Sequence, residues 1–395
     1  MPRDALRGAT PELVRAALDA ADPLPGTGGF AGALGTTDVV RRDEDGVVVA
    51  GRGGTVVRDV LGRQPVFVDG DRWSVDPARL DDPRSVEAGC VCDLASGTGE
   101  RVWSLPDPAP ETDHEAAVAA VRDAVLGTVR SVDTDGLAVA FSGGIDSALV
   151  ASGVGAPCYV VGFPDSHDVA AAREAAAAMD REGDLRVVEL THDDLVRAVP
   201  RIVAATGRTN PMDVGIALPL FLVGERARAD GFSSVAVGQG ADELFGGYAK
   251  VVSPAADDRV DADTVRGARR ETIETLPRQL ERDVLALRAA GVEPVAPFLH
   301  DRVVRAALPL PGALVATDDE RKVALRRAAA GVLPESVVSA EKKAVQYGSL
   351  VSRELDRLAR RAGYKRRMDD HVGQYVRSLV DGDGIDAAET RHDDG

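Results

Sequence analysis

Near its middle the chain reads Ala138-Val-Ala-Phe-Ser-Gly-Gly-Ile-Asp-Ser147. The apolar residues 137–141 predict a buried strand, and residues 148–154 predict a helix that follows the Ser-Gly-Gly turn at once. Glycines let a backbone approach a ligand closely, and a helix N-terminus offers free N–H groups to an anion. The segment therefore predicts an anion-binding turn; the alternative is an ordinary glycine turn in which Ser and Asp cap the helix.

A second segment repeats this pattern. It reads Val235-Ala-Val-Gly-Gln-Gly-Ala-Asp-Glu-Leu-Phe-Gly-Gly-Tyr248, which is a short apolar strand, a glycine-rich turn and two acids that open a helix. A capped turn is again the alternative, because acids are favoured in the first turn of any helix. Parallel strands end at one edge of a sheet, so we expect Asp146 and Asp242 at the same edge, where paired carboxylates suit a Mg²⁺ ion on a triphosphate.

Around these segments, strands alternate with helices. Strands are predicted at 137–141, 159–163, 185–190 and 234–237, and helices at 115–132, 148–154, 169–179, 195–205 and 218–229. This alternation predicts an α/β fold, a parallel sheet with helices on both faces. Residues 30–103 instead show short β-type runs between Gly pairs, which predicts a small β-rich N-terminal domain after a first helix that opens at Thr10. The proline-rich residues 105–110 form the expected joint, and the region after Tyr248 reads as mostly helical.

The charge of the chain is strongly acidic. It has 47 basic and 64 acidic residues, a formal net charge of −17. This excludes a non-specific binder of nucleic acid, whose affinity comes from Lys and Arg that neutralise phosphates. The only lysines are Lys250, Lys322, Lys342, Lys343 and Lys365. We interpret this composition as that of a halophilic protein, kept soluble at high ionic strength; a GC-rich genome that favours Arg and Asp codons is the alternative.

Several classes of protein do not fit the sequence. Cys90, Cys92 and Cys158 are too few for a disulfide framework, and no matching pair makes a metal site of Cys90 and Cys92. The first residues do not show the basic segment followed by an apolar segment that is typical of a signal peptide. No apolar run reaches the ~18–20 residues of a membrane span. We therefore expect a cytoplasmic protein that contacts neither membrane nor nucleic acid.

Four ordered blocks carry a family resemblance. Ser142–Ser147 resembles the pyrophosphate loop of the ATP pyrophosphatases, whose fold is similar to that of the adenine nucleotide alpha hydrolases. Residues 238–248 are similar to the second signature of the asparagine synthetase branch of that superfamily. Arg282 with the run Gly291-Val-Glu-Pro-Val-Ala-Pro-Phe-Leu299, and the block Glu341-Lys-Lys-Ala-Val-Gln-Tyr-Gly348, resemble its two later blocks. In these four blocks the chain resembles the asparagine synthetase family.

The resemblance implies a reaction. ATP adenylates a carboxylate, the side chain of aspartate in this family, with release of pyrophosphate; ammonia then displaces AMP to give an amide. The implied roles are pyrophosphate binding by Ser142, Gly143, Gly144 and Ser147; Mg²⁺ ligation by Asp146 and Asp242; contact with the nucleotide by Phe141, Val161, Val237 and Gly238; and charge compensation by the catalytic residues Lys342 and Arg282.

Two of these assignments can be weighed from the residues. Arg282 lies opposite the helical stripe Leu276, Leu280, Val284 and Leu287, so it is either exposed or directed into a cleft. Lys342 is one of five lysines, which favours a role that arginine does not fill. Tyr248 and Tyr347 are expected to be packing residues.

The N-terminal part departs from the family pattern. Where a typical member has the cysteine nucleophile that hydrolyses glutamine, this chain has Pro2, yet Asp59-Val-Leu-Gly-Arg-Gln-Pro65 still resembles the glutaminase domain. We therefore predict three parts: residues 1–110, a truncated amidotransferase-like domain without its nucleophile; 111–381, the ATP pyrophosphatase domain; and 382–395, an acidic disordered tail. Ammonia then comes from solution or from a separate glutaminase subunit, and the sequence is compatible with a homodimer.

The synthetase part departs at two places. Gln239 stands where typical members have Glu, and Met212-Asp-Val-Gly215 stands where they have Thr-Thr-x-Arg, with Arg208 as the nearby substitute. These changes leave two alternatives to an ammonia-dependent asparagine synthetase: an adenylating ligase for another carboxylate, and a non-catalytic nucleotide-binding subunit.

Overall fold

The computed structural model describes residues 3–42, 48–257, 259–340 and 345–382. Pro2, Lys342 and residues 383–395 of the predicted tail lie outside this part of the chain. The described chain divides into two compact units, each assembled from three segments. The first comprises residues 1–132, 238–284 and 296–332, and the second comprises residues 133–237, 285–295 and 333–395. The division at 110 and 381 stays a prediction.

The first unit contains two five-stranded antiparallel sheets. One has the order β1 (Arg3–Arg7), β2 (Ala31–Thr36), β5 (Thr55–Arg58), β9 (Cys90–Asp93) and β10 (Thr98–Arg101). The other has the order β3 (Asp38–Arg42), β4 (Val48–Arg52), β7 (Arg72–Ser74), β6 (Phe67–Asp69) and β8 (Arg84–Ser85). The β-rich N-terminal region predicted from the short Val-rich runs is therefore present.

Small β-branched and alanine side chains from both sheets form one apolar core in this unit. Val56 of β5 and Trp73 of β7 are buried there together with Ala33 and Val68. The indole N–H of Trp73 donates to the Thr36 hydroxyl at 3.2 Å, so the largest side chain of this core also has its polar atom satisfied. Cys90 and Cys92, which are free thiols, pack half-buried against the same core.

Helices complete the first unit. They are α1 (Pro11–Asp19), α2 (His114–Arg130), α7 (Ala241–Phe245), α8 (Ala249–Val252), α9 (Val265–Glu274), α11 (Asp301–Ala307), α12 (Gly312–Val315), α13 (Val323–Ala329) and the part of α10 (Leu276–Ala289) before residue 285. The Thr10 hydroxyl accepts from the backbone N–H of Leu13, so α1 begins where its cap and Pro11 predict. Asp113 caps α2 in the same way, by accepting from two backbone N–H groups.

The second unit is built on a five-stranded parallel sheet. Its order is β13 (Leu185–Glu189), β12 (Cys158–Gly162), β11 (Leu137–Ala140), β14 (Ser234–Ala236) and β15 (Glu293–Val295). The chain runs outward from β11 to β13 and then returns to the other side of β11. The order of strands thus reverses between β11 and β14, and this reversal is the place where open α/β sheets bind ligands. Leu137 is paired with Ser234 and Val139 with Ala236, so the carboxyl ends of these two strands lie side by side.

Helices flank this sheet, as the predicted α/β fold requires. They are α3 (Ile145–Gly153), α4 (His167–Ala178), α5 (His192–Thr206), α6 (Pro211–Ala229), α14 (Glu335–Val338), α15 (Val345–Gly348), α16 (Val351–Arg361), α17 (His371–Asp381) and the end of α10. Every residue of β12 is buried, which explains its continuous apolar sequence. Among the residues that the structure describes, no helix is long and apolar enough to cross a membrane.

Candidate nucleotide and carboxylate sites

The first predicted motif is a turn between β11 and α3 in the second unit. Gly144 is extended at the start of α3, and no side chain caps that helix among the described residues. The helix begins at Ile145, three residues before the predicted start, because the extended Gly144 already points the chain into the first turn. The N-terminal N–H groups of a nine-residue helix therefore follow a glycine turn directly, as the anion-binding prediction requires.

Two serine hydroxyls organise this turn. The Ser147 hydroxyl donates to the carbonyl of Gly144 at 3.1 Å and accepts from the backbone N–H of Ser142 at 3.2 Å. The hydroxyls of Ser142 and Ser147 lie 3.3 Å apart. The structure thus brings together the four residues that were predicted to hold a pyrophosphate.

Gly143 is required for steric reasons. Its φ is +76°, and a Cβ there would lie 2.4 Å from the backbone oxygen of Ala171 in α4. A larger residue would have to displace the backbone of α4. Helix backbone cannot move aside as easily as the end of a flexible side chain can. The turn therefore packs closely against α4, and only glycine can occupy residue 143 without strain.

The other predicted residues of this unit lie at the carboxyl edge of the sheet. Phe141, Val161 and Val237 are buried at or just after the ends of β11, β12 and β14. Asp146 is 5% exposed in the first turn of α3, where the helix dipole favours a negative charge. Contact of these residues with a nucleotide stays a prediction.

The second predicted motif lies in the first unit. Gly240 precedes α7, with φ +88°, and Asp242 lies in the first turn of that helix. The Lys322 ammonium lies 2.6 Å from Oδ1 of Asp242, and the side chain of Lys322 is only 10% exposed. Gly247 makes room for this pair, since a Cβ there would come within 1.8 Å of the same Asp242 oxygen.

The neighbouring acid, Glu243, has an unusual environment. Its side chain is buried, and its Oε1 accepts a hydrogen bond from the Tyr248 hydroxyl at 2.6 Å. Burial, followed by the nearby charge of Asp242, raises the pKa of Glu243 to about 7. The prediction that Tyr248 only packs is therefore incomplete, because its hydroxyl is the hydrogen-bond donor to this buried carboxyl.

Gln239 and Arg282 both donate hydrogen bonds to one carboxylate, that of Asp283. The Gln239 amide donates to Oδ2 of Asp283 at 2.8 Å, and the Arg282 guanidinium donates to Oδ1 at 2.7 Å. Arg282 and Asp283 are each 5% exposed, so of the two alternatives for Arg282 the exposed one is wrong. Burial is possible opposite the apolar stripe because the adjacent Asp283 neutralises the guanidinium.

The residues that the sequence interpretation missed are Lys322 and Asp283. Lys322 lies 80 positions from Asp242, and its only signal was the scarcity of lysine. Lys342, chosen on that signal, lies outside the described residues. The prediction that Tyr347 packs is wrong, because Tyr347 is 56% exposed.

The substitute proposed for the missing arginine is itself paired. The Arg208 guanidinium lies 3.4 Å from Oδ2 of Asp213, and both side chains are mostly buried. Asn210 caps α6 and also donates to Asp213, at 2.7 Å. Arg208 therefore has a carboxylate of this chain beside it, which reduces the charge it can offer to a substrate.

Asp146 of the second unit and Asp242 of the first each carry carboxylate oxygens, the donors that Mg²⁺ prefers. Each carboxylate, taken by itself, fits a magnesium ion whose other ligands are phosphates and water, and binding of such an ion by either residue stays a prediction. In residues 3–42, 48–257, 259–340 and 345–382 no cluster of three or more His, Cys, Asp or Glu side chains could hold a metal by itself.

Comparison with known proteins identifies relatives. The family model described as Asparagine synthase matches residues 119–271 and 255–394, together more than half of the chain. A Methanocaldococcus jannaschii protein, provisionally named asparagine synthetase [glutamine-hydrolyzing] 1, is 28% identical over 298 residues, 66% of this chain and 54% of the relative. The asparagine synthetase [glutamine-hydrolyzing] of Brassica oleracea is 26% identical over 65% of this chain and 47% of its own length. The chain thus spans about half the length of these curated relatives.

Proposed function

Because this chain belongs to the asparagine synthase family, we propose that it is an ATP-dependent amide-forming ligase. In the proposed reaction a carboxylate, the side chain of aspartate, attacks the α-phosphorus of ATP and pyrophosphate leaves. Ammonia then attacks the acyl-adenylate and AMP leaves, so one amide, AMP and pyrophosphate are formed for each ATP.

The observation that carries this proposal is the turn between β11 and α3. It combines a glycine fixed against α4 at residue 143, two hydroxyls within 3.3 Å of each other, and a following helix whose first N–H groups have no side-chain cap among the described residues. It also stands at the reversal of strand order in a parallel sheet. This combination supports binding of the β- and γ-phosphates, which leave together as pyrophosphate.

Charge compensation is assigned to one acid of each motif and to two basic residues outside the motifs. We assign Mg²⁺ ligation to Asp146 and Asp242 from their place in the two motifs; the ion would neutralise phosphate oxygens as pyrophosphate leaves. Arg282, buried beside Asp283, and Lys342 are proposed to offset charge at the phosphorus that is attacked. In a chain of net charge −17, such local positive charge is needed for a tetra-anionic nucleotide to bind.

Two contacts favour a second candidate, a ligase for a carboxylate other than aspartate. Arg208 is paired with Asp213, and the amide of Gln239 is bound to Asp283. Gln239 stands where typical members have Glu, and Arg208 is the nearby substitute for the arginine that typical members have within residues 212–215. An acceptor with less negative charge than aspartate would suit these neighbours better.

The test is release of pyrophosphate from ATP in concentrated KCl, with Mg²⁺, ammonium and a panel of amino acids and other carboxylates. Release that depends on aspartate, with formation of asparagine and AMP, is the expected result. Release with another acid selects the second candidate, and no release with any acid leaves a nucleotide-binding subunit without catalysis.

The source of ammonia is tested in the same assay. We propose that ammonia comes from solution or from a separate glutaminase, since Pro2 has no thiolate. Amide formation should therefore require ammonium when the purified protein is alone. Equal amide formation with glutamine in place of ammonium would contradict this part of the proposal.

A further inference from the structure

We propose that Arg58 and Arg63 are positioning residues that hold the second motif, residues 238–248, through two separate sets of contacts. Both arginines belong to the antiparallel region of the first unit, which has no assigned chemistry of its own. Arg58 ends β5, and Arg63 follows five residues later. The contacts of the two arginines are independent of the proposed function; the inference rests on that function only where it takes residues 238–248 to bind Mg²⁺ and the nucleotide.

Arg63 makes the first set of contacts, to the turn before α11. Its Nη1 donates to the carbonyl of Leu299 at 2.7 Å and to Oδ1 of Asp301 at 2.6 Å, and its Nε donates to Asp59 at 2.8 Å. Asp301 in turn accepts from the backbone N–H groups of residues 26 and 27, both at 2.8 Å. Three buried charges thus fix the backbone of residues 299–301.

The turn fixed in this way supports the start of α7. A Cβ on Gly240 would lie 2.3 Å from Cδ2 of Leu299, so Leu299 lies directly against the glycine that precedes α7. The ring of Phe298 meets that of Phe245 edge to face, with centroids 6.3 Å apart. Both ends of α7, and therefore Asp242 in its first turn, are packed against residues 298–299.

Arg58 makes the second set of contacts, to α10. Its Nη1 donates to Glu281 at 3.2 Å and its Nη2 to the carbonyl of Pro277 at 3.3 Å. The next residues of this helix are Arg282 and Asp283, and Asp283 accepts from the amide of Gln239. The arginine therefore fixes the helix that holds the other side of the same motif.

The charges themselves argue for a positioning role. Arg58 and Arg63 are 2% and 3% exposed, and Asp59 and Asp301 are fully buried. Burial alone would lower the pKa of Arg63, but the charges of Asp59 and Asp301 outweigh it, and that pKa lies above its ordinary value. A buried ion cluster stabilises a fold little better than apolar residues of the same volume. What it adds is one fixed backbone geometry, here that of residues 299–301.

Hydrogen exchange of the amides of residues 239–247, in the protein without substrates, tests the proposal directly. Arg63→Lys keeps the charge but loses the planar fork whose Nε reaches Asp59 while its Nη1 reaches Leu299 and Asp301. We expect exchange in this motif to accelerate about tenfold, while β11 and β12 of the second unit exchange as before. Glu281→Ala, on a partly exposed helix position that tolerates alanine, should give a smaller acceleration in the same peptide.

Arg15→Lys is the matched control, because Nη2 of Arg15 donates to both carboxylate oxygens of Asp4 at the surface of the same unit. It should leave exchange of residues 239–247 unchanged. If the wild type releases pyrophosphate, Arg63→Lys should raise KM for ATP more than it lowers kcat. Unchanged exchange in the motif with Arg63→Lys and with Glu281→Ala, whatever their stability, would overturn the positioning role. The exchange experiment needs no turnover, so its result is independent of the proposed reaction.

Discussion

The ammonium of Lys322 lies 2.6 Å from a carboxylate oxygen of Asp242, although 80 residues separate them in the chain. Lys322 adopts a left-handed backbone conformation, φ +58°, which lysine rarely adopts, immediately before α13. Gly247 leaves the space in which the two side chains meet. The ion pair therefore depends on the left-handed backbone of Lys322 and on the space left by Gly247, as well as on opposite charge.

We expect Lys322 to matter for the reaction because it holds Asp242, the proposed Mg²⁺ ligand, so Lys322→Met should lower the rate of pyrophosphate release by about 10²-fold. Stability should fall by only about 1 kcal/mol, because the Asp242 side chain remains 43% exposed to water. Steady-state assays and urea unfolding measure the two effects. Lys365→Met, at an exposed lysine, is the control, and equal losses in both variants would contradict a specific role.

Gly143→Ala should disrupt the turn between β11 and α3. The new Cβ would meet the backbone of Ala171 at 2.4 Å with φ at +76°. We expect a loss of about 1–3 kcal/mol in stability and loss of nucleotide binding. Gly155→Ala, where a Cβ would meet nothing within 4 Å, should change neither. Thermal unfolding and ATP titration calorimetry compare the two variants, and normal ATP affinity in Gly143→Ala would argue against a phosphate role for the turn.

Asp146→Ala should lower nucleotide-dependent chemistry by orders of magnitude, about 10²–10³-fold, while the protein still folds. The stability loss should stay near 1 kcal/mol, the size of a first-turn charge on the helix dipole. Asp193→Ala, an exposed acid in the first turn of α5, is the matched control. An Asp146→Ala protein that retains Mg²⁺-dependent pyrophosphate release would exclude Asp146 as a metal ligand.

Glu243 should make stability fall as the pH rises. Burial raises the pKa of Glu243 from its ordinary 4.5 to about 7 in the folded protein, so between these values the folded state holds a proton that the unfolded state has released. The contribution is fully present below about pH 4.5 and is lost as the pH rises through 7; it amounts to about 3 kcal/mol. Glu243→Gln should remove this pH dependence, measured as the difference in unfolding free energy between the two proteins across pH 4.5–7.5. Parallel curves would show that Glu243 does not titrate in this range.

The unfolding midpoint should rise with KCl concentration. A net charge of −17 repels itself in dilute buffer, and salt shortens that repulsion to a few ångströms. Chemical or thermal unfolding between low salt and about 3 M KCl is the measurement, where the screening length is below 3 Å. Full stability in dilute buffer would instead favour the codon-bias interpretation of the composition.

The parallel sheet was largely predictable because its signals are local. β11, β12 and β14 are short apolar runs that end at Gly or Ser, and the helices between them have polar caps such as Ser166 and Thr191. β15 was not predicted, since Pro294 lies in it and a strand with proline reads as a loop. β1 was missed for a related reason, because Arg-Asp-Ala-Leu-Arg carries little apolar pattern.

The site was predictable only where sequence neighbours form it. The hydrogen bonds of the turn Ser142–Ser147 join residues within five positions of one another, so the sequence motif includes all of these partners. The partners of Asp242 and Gln239 come from α10 and from the residue before α13, which no periodicity connects to the motif. The sequence left Arg282 either exposed or in a cleft for the same reason, since helical periodicity alone does not name the partner, Asp283, that allows its burial.

The triad of Arg63, Asp59 and Asp301 has a consequence for how this chain can be shortened. Removal of residues 1–110 would take away the Arg63 guanidinium and the backbone N–H groups of residues 26 and 27, which together hold the carboxylate of Asp301. Residues 1–132 also belong to the same compact unit as residues 238–284 and 296–332. We therefore expect a chain without its first 110 residues to lose the folded structure of the second motif, because the two are parts of one unit.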